Sequence, residues 1–222
     1  MIIHLSYPLT TSTPLYQNTP PPVIHPLRSM DKGDSANTST ITFSTHSGTH
    51  IDSPYHFCKR GKTIADCLTK ETTFYPAYCI DIPVYGGKEI GASELEESIS
   101  LVQDAEALFI RTGWYVIRSE EPVRYCNDHP WISPKLPRFL KDRCPHLRLF
   151  GLDQISVSSV LHRDEGHACH KKFLCGRKPI LLLEDLDLSD QRLKNPFRIN
   201  IYPHFIDYID GIPVTVIAEI ER

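Results

Sequence analysis

His46-Ser-Gly-Thr-His-Ile-Asp-Ser-Pro-Tyr-His56 gathers three histidines and one aspartate, all at even positions. On an extended chain alternate side chains share a face, so His50 and Asp52 project together with α-carbons about 6.6 Å apart. That separation lets both converge on one ion at roughly 2.0–2.2 Å. His46 would lie about 13 Å from His50 along a straight strand, so it joins them only if the chain bends. Ser47-Gly48 is where a bend is possible, because glycine tolerates the φ values of a bulge or tight turn. Pro54 cannot donate to a ladder, so it takes the chain out of the strand and re-aims His56. Three unrelated histidines in a polar turn would leave the aspartate, the glycine and the proline without a purpose. A metal centre accounts for all of them.

An ion held by His and Asp needs one or two more ligands. Candidates lie in His162-Arg-Asp-Glu-Gly-His167-Ala-Cys-His170 and in Leu181-Leu-Leu-Glu184. Glu184 ends an apolar run, where an unpaired carboxylate is costly, so a cation or a metal is expected beside it. His162 and His167 read more simply as surface residues, and Cys169 and Cys175 as small core residues, since no thiolate spacing is present.

Around this segment the chain reads as many strands and few helices. Ile2–Leu5 is a short strand, and the proline-rich stretch 7–30 is expected to be irregular. Thr38–His46 alternates, with Ile41 and Phe43 on one face. Further strands are expected at Ala77–Ile82, Ala107–Arg111, Leu147–Leu152, Pro179–Leu183, Phe197–Tyr202 and Ile212–Ile220. Helices are expected at Ala92–Ser100 and at Pro134–Cys144, the latter capped by Ser133, with a shorter one around His170. No repeat or linker divides residues 1–222, so one domain of α/β or mixed α+β class is expected.

The 222 residues carry a net charge of −3 with scattered Lys and Arg, which argues against a nucleic-acid surface. No apolar run approaches the roughly 18 residues of a membrane span, and no signal peptide is recognisable. Seven cysteines without a C-x-x-C pair are expected to be reduced thiols in a cytoplasmic protein.

The pattern His46-x-Gly-Thr-His50-x-Asp52-x-Pro-x-His56 resembles the signature of the cyclase family of metal-dependent hydrolases, which includes kynurenine formamidases and isatin hydrolases. Weaker likeness runs through Leu5–Leu9, Arg111–Trp114, Gly151–Asp153, His170–Leu174, Pro179–Leu186 and Ile212–Ala218. The resemblance implies a swivelling β/β/α-type fold with a mixed sheet or barrel core, and a homodimer or homotetramer. It implies His46, His50 and Asp52 as metal ligands, with His170 and Glu184 completing a site for one or two ions and Asp52 bridging. It also implies His56 as the acid/base. Where formamidases carry a Trp-Pro-Gly-Asp-like stretch, this chain has Tyr16-Gln17-Asn18-Thr19, so Tyr16 is the expected substrate-binding aromatic.

The chemistry expected of these residues is hydrolysis of an amide. A divalent ion with an open position lowers the pKa of water to about 7, and a histidine passes the proton to the leaving amine. An N/O ligand set suits Zn2+ or Mn2+. By resemblance the substrate is an aryl formamide, N-formylkynurenine yielding kynurenine and formate. A cyclic amide or lactone hydrolase, a cyclising enzyme, and a non-catalytic metal- or small-molecule-binding protein are the rival assignments.

Overall fold

Alternation along the central strands divides their side chains between two buried cores. Ala107 and Phe109 pack in one, Leu108 and Ile110 in the other, and Leu181 and Leu183 are likewise separated from Leu182. The computed structural model describes residues 1–220. Its strands are β1 (Ile2–His4), β2 (Val23–Arg28), β3 (Thr38–Thr42), β4 (His50–Asp52), β5 (Thr73–Asp81), β6 (Glu89–Ile90), β7 (Ala107–Arg111), β8 (Trp131–Ile132), β9 (Leu149–Leu152), β10 (Leu181–Glu184), β11 (Phe197–Pro203) and β12 (Gly211–Glu219). Its α-helices are α1 (Ile64–Leu68), α2 (Ala92–Leu95), α3 (Pro122–Asn127), α4 (Leu136–Arg143) and α5 (Arg163–Leu174).

The main sheet runs β1-β12-β11-β5-β7-β9-β10-β4, and β4 also pairs with β12, which closes it into a barrel. Strands β5, β7, β9 and β10 are mutually parallel, and the remaining pairings are antiparallel. The first core draws side chains from every strand of the ring and fills the barrel. The second lies between its outer face and the helices, through Leu95, Leu136, Leu140 and Phe173. Burying Phe173 and Leu174 contributes on the order of 1.5–3 kcal/mol each and fixes α5 against the barrel wall. This is the mixed α+β class with a barrel core that was expected.

Several boundaries differ from expectation. The stretch 7–30 is not wholly irregular, because β2 pairs with β3 as a hairpin despite Pro26. A two-stranded ribbon leaves each strand one free edge, and the register shifts between Pro26 and Arg28, so the missing N–H is tolerated. Every residue of β2 and β3 is exposed, so the alternation at Ile41 marks no barrel face. The helix expected over Ala92–Ser100 stops at Leu95 and resumes as a 3-10 turn at Ile99–Leu101, where the serines compete for backbone bonds. Helix α4 starts at Leu136 rather than Pro134, and Ser133 instead accepts the Lys135 N–H. Around His170 the helix has twelve residues and is longer than expected.

The expectation of seven reduced thiols is also corrected. Cys58 and Cys175 form a disulfide with α-carbons 5.9 Å apart, and Cys67, Cys79, Cys126, Cys144 and Cys169 are free. Cys175 is thus a cross-link rather than a core filler, whereas Cys169 is buried as expected. Its spacing of 117 residues hid the pair from any local pattern. Because disulfides persist in oxidising surroundings, the thiols no longer support a cytoplasmic location. No described helix is long and apolar enough to cross a membrane. Cross-linking so long a loop stabilises by about 2–4 kcal/mol. Cys175→Ser is therefore expected to lower the denaturation midpoint under non-reducing conditions, and the difference should vanish when both proteins are measured in excess dithiol.

Candidate metal centre

Strand β4 has its middle residue, Ile51, in the barrel core, so His50 and Asp52 point outward. On β10 the same alternation sends Leu183 inward and Glu184 outward. The antiparallel register sets Glu184 opposite His50 and Leu182 opposite Asp52. Helix α5 covers this face and presents His170 with its Nε2 3.6 Å from Glu184 Oε1 and 3.8 Å from Asp52 Oδ2.

His46 arrives by the expected bend. Gly48 has φ +63°, in the left-handed region that favours glycine, and the chain doubles back so that the His46 and His50 rings lie 5.0 Å apart. His46 Nδ1 then sits 2.9 Å from Asp52 Oδ1. Gly211 lets the ring lie flat on β12, since a Cβ there would come within 2.7 Å of His46 Cε1. Beyond Asp52, Pro54 opens a 3-10 turn, Pro54–His56, which turns His56 toward His46 with rings 4.0 Å apart.

The ring nitrogens are assigned by their neighbours. His50 Nδ1–H donates to Gly48 O and His170 Nδ1–H to Gly166 O, both at 2.9 Å. Each therefore offers Nε2 to the carboxylates, the form in which imidazole binds metal. Glu184 is held by the Val157 N–H at 2.7 Å and Ser156 Oγ at 3.1 Å. Behind it Asp185 adopts φ +56° and accepts Arg118 through Nε at 2.7 Å and a terminal nitrogen at 2.6 Å, plus the Tyr125 hydroxyl at 2.6 Å.

Asp52 is 1% exposed, and among the described residues no arginine, lysine, hydroxyl or backbone N–H bonds its oxygens, which face only imidazole nitrogens, the nearest being His46 Nδ1 at 2.9 Å and His50 Nε2 at 3.4 Å. A buried carboxylate left so is costly unless a cation compensates it. Two sets of three residues place ligand atoms within 4.8 Å of one another, His46–Asp52–His56 and His50–Asp52–Glu184, and Asp52 belongs to both. The residues present thus fit a divalent ion. Burial works against protonating His46, yet Asp52 and Asp210 outweigh it and raise its pKa to about 10. Burial likewise opposes protonation of His50 and His170, whose pKa values their carboxylate neighbours nonetheless raise. Burial also opposes ionising Asp52, which His46 and His50 still hold well below the usual carboxylate range. The whole cluster favours positive charge.

These side chains floor a cavity of about 290 Å³, also lined by Tyr16, Phe57, Ile155 and His167. Tyr16, His46, His50, Asp52, His56, His170 and Glu184 are therefore brought together around one cavity. Of the alternatives to His170, His162 stacks on Trp131 at 4.6 Å, away from the carboxylates, and His167 stands on the cavity wall. Phe57 stacks on His170 at 4.6 Å. Sequence reasoning missed Asp210, whose Oδ2 lies 2.8 Å from His46 Nε2 and 2.9 Å from His56 Nδ1. A lone acid before Gly211-Ile-Pro-Val reads as a solvated loop residue, and nothing local signals its partners.

The model of the family described as "Putative cyclase" matches residues 3–159. The chain belongs to this family. A kynurenine formamidase of Geobacillus thermodenitrificans is 34% identical over 180 residues, covering 81% of this chain and 78% of that protein. Isatin hydrolase A from Labrenzia aggregata, solved with benzyl benzoate, has the same fold, with a TM-score of 0.83, 20% identity and coverage of 98% and 93%. A potential metal-dependent hydrolase with cyclase activity superposes with a TM-score of 0.76 at 19% identity, covering 98% and 96%.

Elemental analysis of this cyclase-family chain after loading is expected to find one or two divalent ions, and Asp52→Asn to lose most of them. Unchanged stoichiometry in that variant would remove Asp52 from the centre. Near neutral pH the ion-free His46 carries a proton, because its pKa stands at about 10. Binding through Nδ1 must displace it, so calorimetry in buffers of differing ionisation enthalpy is expected to register proton release, and affinity to fall as pH drops.

Proposed function

We propose that the chain is a metal-dependent amidohydrolase that cleaves an aryl formamide, N-formylkynurenine or a close analogue, into an aryl amine and formate. The observation that carries this is the buried Asp52 carboxylate, faced by imidazole nitrogens and shared by two groups of potential ligands at the floor of a pocket. The formamidase relative supports the choice of substrate class.

His46, His50 and Asp52 would hold one ion, and Asp52, His170 and Glu184 a second. Zn2+ or Mn2+ suits these N/O donors. When bound, such an ion polarises a carbonyl oxygen and lowers the pKa of water to about 7. His56 keeps Nδ1 on Asp210, so Nε2 is the nitrogen available to pass a proton to the leaving amine as the C–N bond breaks. Tyr16, Phe57 and Ile155 supply apolar surface for an aryl ring, in a cavity at the small end for organic ligands.

His56→Ala is expected to keep most of its metal while kcat falls on the order of 10²–10⁴-fold, as for loss of a general acid/base. Loss of metal together with activity would make His56 a ligand. The substrate is tested with a panel of formamides, lactams and lactones, in which Tyr16→Ala should raise KM for aryl formamides more than for small aliphatic ones. Turnover of lactams or lactones alone would move the substrate to a cyclic amide or ester, and metal binding without any turnover would leave a binding protein.

A homodimer or homotetramer is part of the same proposal. The β2–β3 hairpin exposes Val23, Ile24, Leu27 and Ile41, and an isolated two-stranded hairpin is marginal in water. A second copy packed on it would supply the missing cover. Light scattering is expected to give a multiple of the chain mass, and a monomer at micromolar concentration would exclude that role for the hairpin.

A further inference from the structure

Asp210 stands at the entrance to β12, more than 150 residues beyond the segment it contacts. Its backbone carbonyl accepts both the N–H and the hydroxyl of Ser53, each at 2.8 Å, which pins it to the exit of β4. Its side chain is directed back across the same segment. Oδ1 accepts the Thr45 hydroxyl at 3.1 Å, and Oδ2 faces His46 Nε2 at 2.8 Å and His56 Nδ1 at 2.9 Å. One carboxylate therefore bonds two histidines of the motif and the threonine just before it.

An ionised carboxylate only accepts hydrogen bonds, so each neutral ring must place its single proton on the nitrogen facing Asp210. For His46, once metal binding has displaced the second proton, the one that remains is on Nε2, which leaves Nδ1, 2.9 Å from Asp52, as the ligand nitrogen. For His56 it is on Nδ1, which frees Nε2 in a ring that lines the cavity. The two histidines thus receive opposite tautomers from one oxygen, as a ligand and a proton carrier require. Gly211 completes the cradle, because any side chain there would strike the His46 ring.

We infer that Asp210 is the positioning residue of the centre, fixing the His46 tautomer for metal binding and the His56 tautomer for proton transfer. It does not line the cavity, and it acts through the two rings. The His56 half rests on the hydrolase proposal above, and the His46 half rests only on the metal centre.

The test compares Asp210→Ala and Asp210→Asn with the parent, each confirmed folded by circular dichroism. Long-range nitrogen–proton correlation spectra, with and without zinc, report which ring nitrogen of each histidine is protonated. With zinc bound, the parent is expected to show His46 protonated on Nε2 alone and His56 on Nδ1. In Asp210→Ala the His56 proton should leave Nδ1, zinc affinity should fall about 10–100-fold, and kcat at saturating zinc should fall similarly with KM little changed. Asp210→Asn keeps an acceptor oxygen and is expected to recover the tautomers and part of kcat. Unaltered tautomers in Asp210→Ala, or an Asn variant no better than Ala, would overturn the inference. Should no formamide be turned over, the spectra and the zinc affinity still decide the role of Asp210.

Discussion

Because β4 is only three residues long and yet pairs on both edges, the barrel closes in one register alone. A slip of one residue would expel Ile51 from the core and drive His50 and Asp52 into it. The cost of burying two ionisable groups among Phe109, Leu183 and Val214 excludes that alternative. Closing the barrel and aiming the first two ligands are therefore one constraint. Glu184 comes with it, since the β4–β10 ladder that completes the closure is what sets it opposite His50.

Asp185 and Asp52 are both buried carboxylates, and they are treated differently. Asp185 is surrounded by the Arg118 guanidinium and the Tyr125 hydroxyl, and its turn is locked further by Thr49, whose hydroxyl donates to Asp185 O at 2.5 Å. Its charge is balanced within the protein, and its work is to end β10 and hold Glu184 in place. Asp52 has only imidazoles around it, with no arginine or hydroxyl among the described residues to hold its oxygens. The fold evidently can satisfy a buried acid with an arginine and a tyrosine. Leaving Asp52 without such partners, while three ring nitrogens surround it, is what an ion-binding carboxylate requires.

What could be read from the sequence was whatever a short stretch of backbone decides. The two-residue period put His50 and Asp52 on one face, Gly48 marked the bend, and Pro54 marked the exit, and all three act as expected. The central strands were legible as short apolar runs, since both faces of Ala107–Arg111 are buried, one in each core. Contacts made across the barrel were not. Asp210 meets His56 over 154 residues, and Cys58 meets Cys175 over 117, and no local spacing encodes either. The hairpin was missed because Pro26 argues against a strand wherever both edges must pair, and the sequence does not say that one edge is free.

These distant contacts explain how His56 can be exact in position while standing on a single 3-10 turn. Such a turn has too few hydrogen bonds to hold a ring rigidly by itself. Its Tyr55 N–H donates to Lys62 O at 2.9 Å, and Gly61 lies so close to Pro54 that an added Cβ would meet the Pro54 carbonyl carbon at 2.4 Å. The disulfide ties Cys58, two residues past His56, to the C-terminal end of α5, the helix that carries His170. Asp210 then holds the ring itself from the opposite wall. Three restraints from separate parts of the chain thus converge on one short turn. The geometry that a proton carrier needs is supplied by its surroundings rather than by the element it sits on.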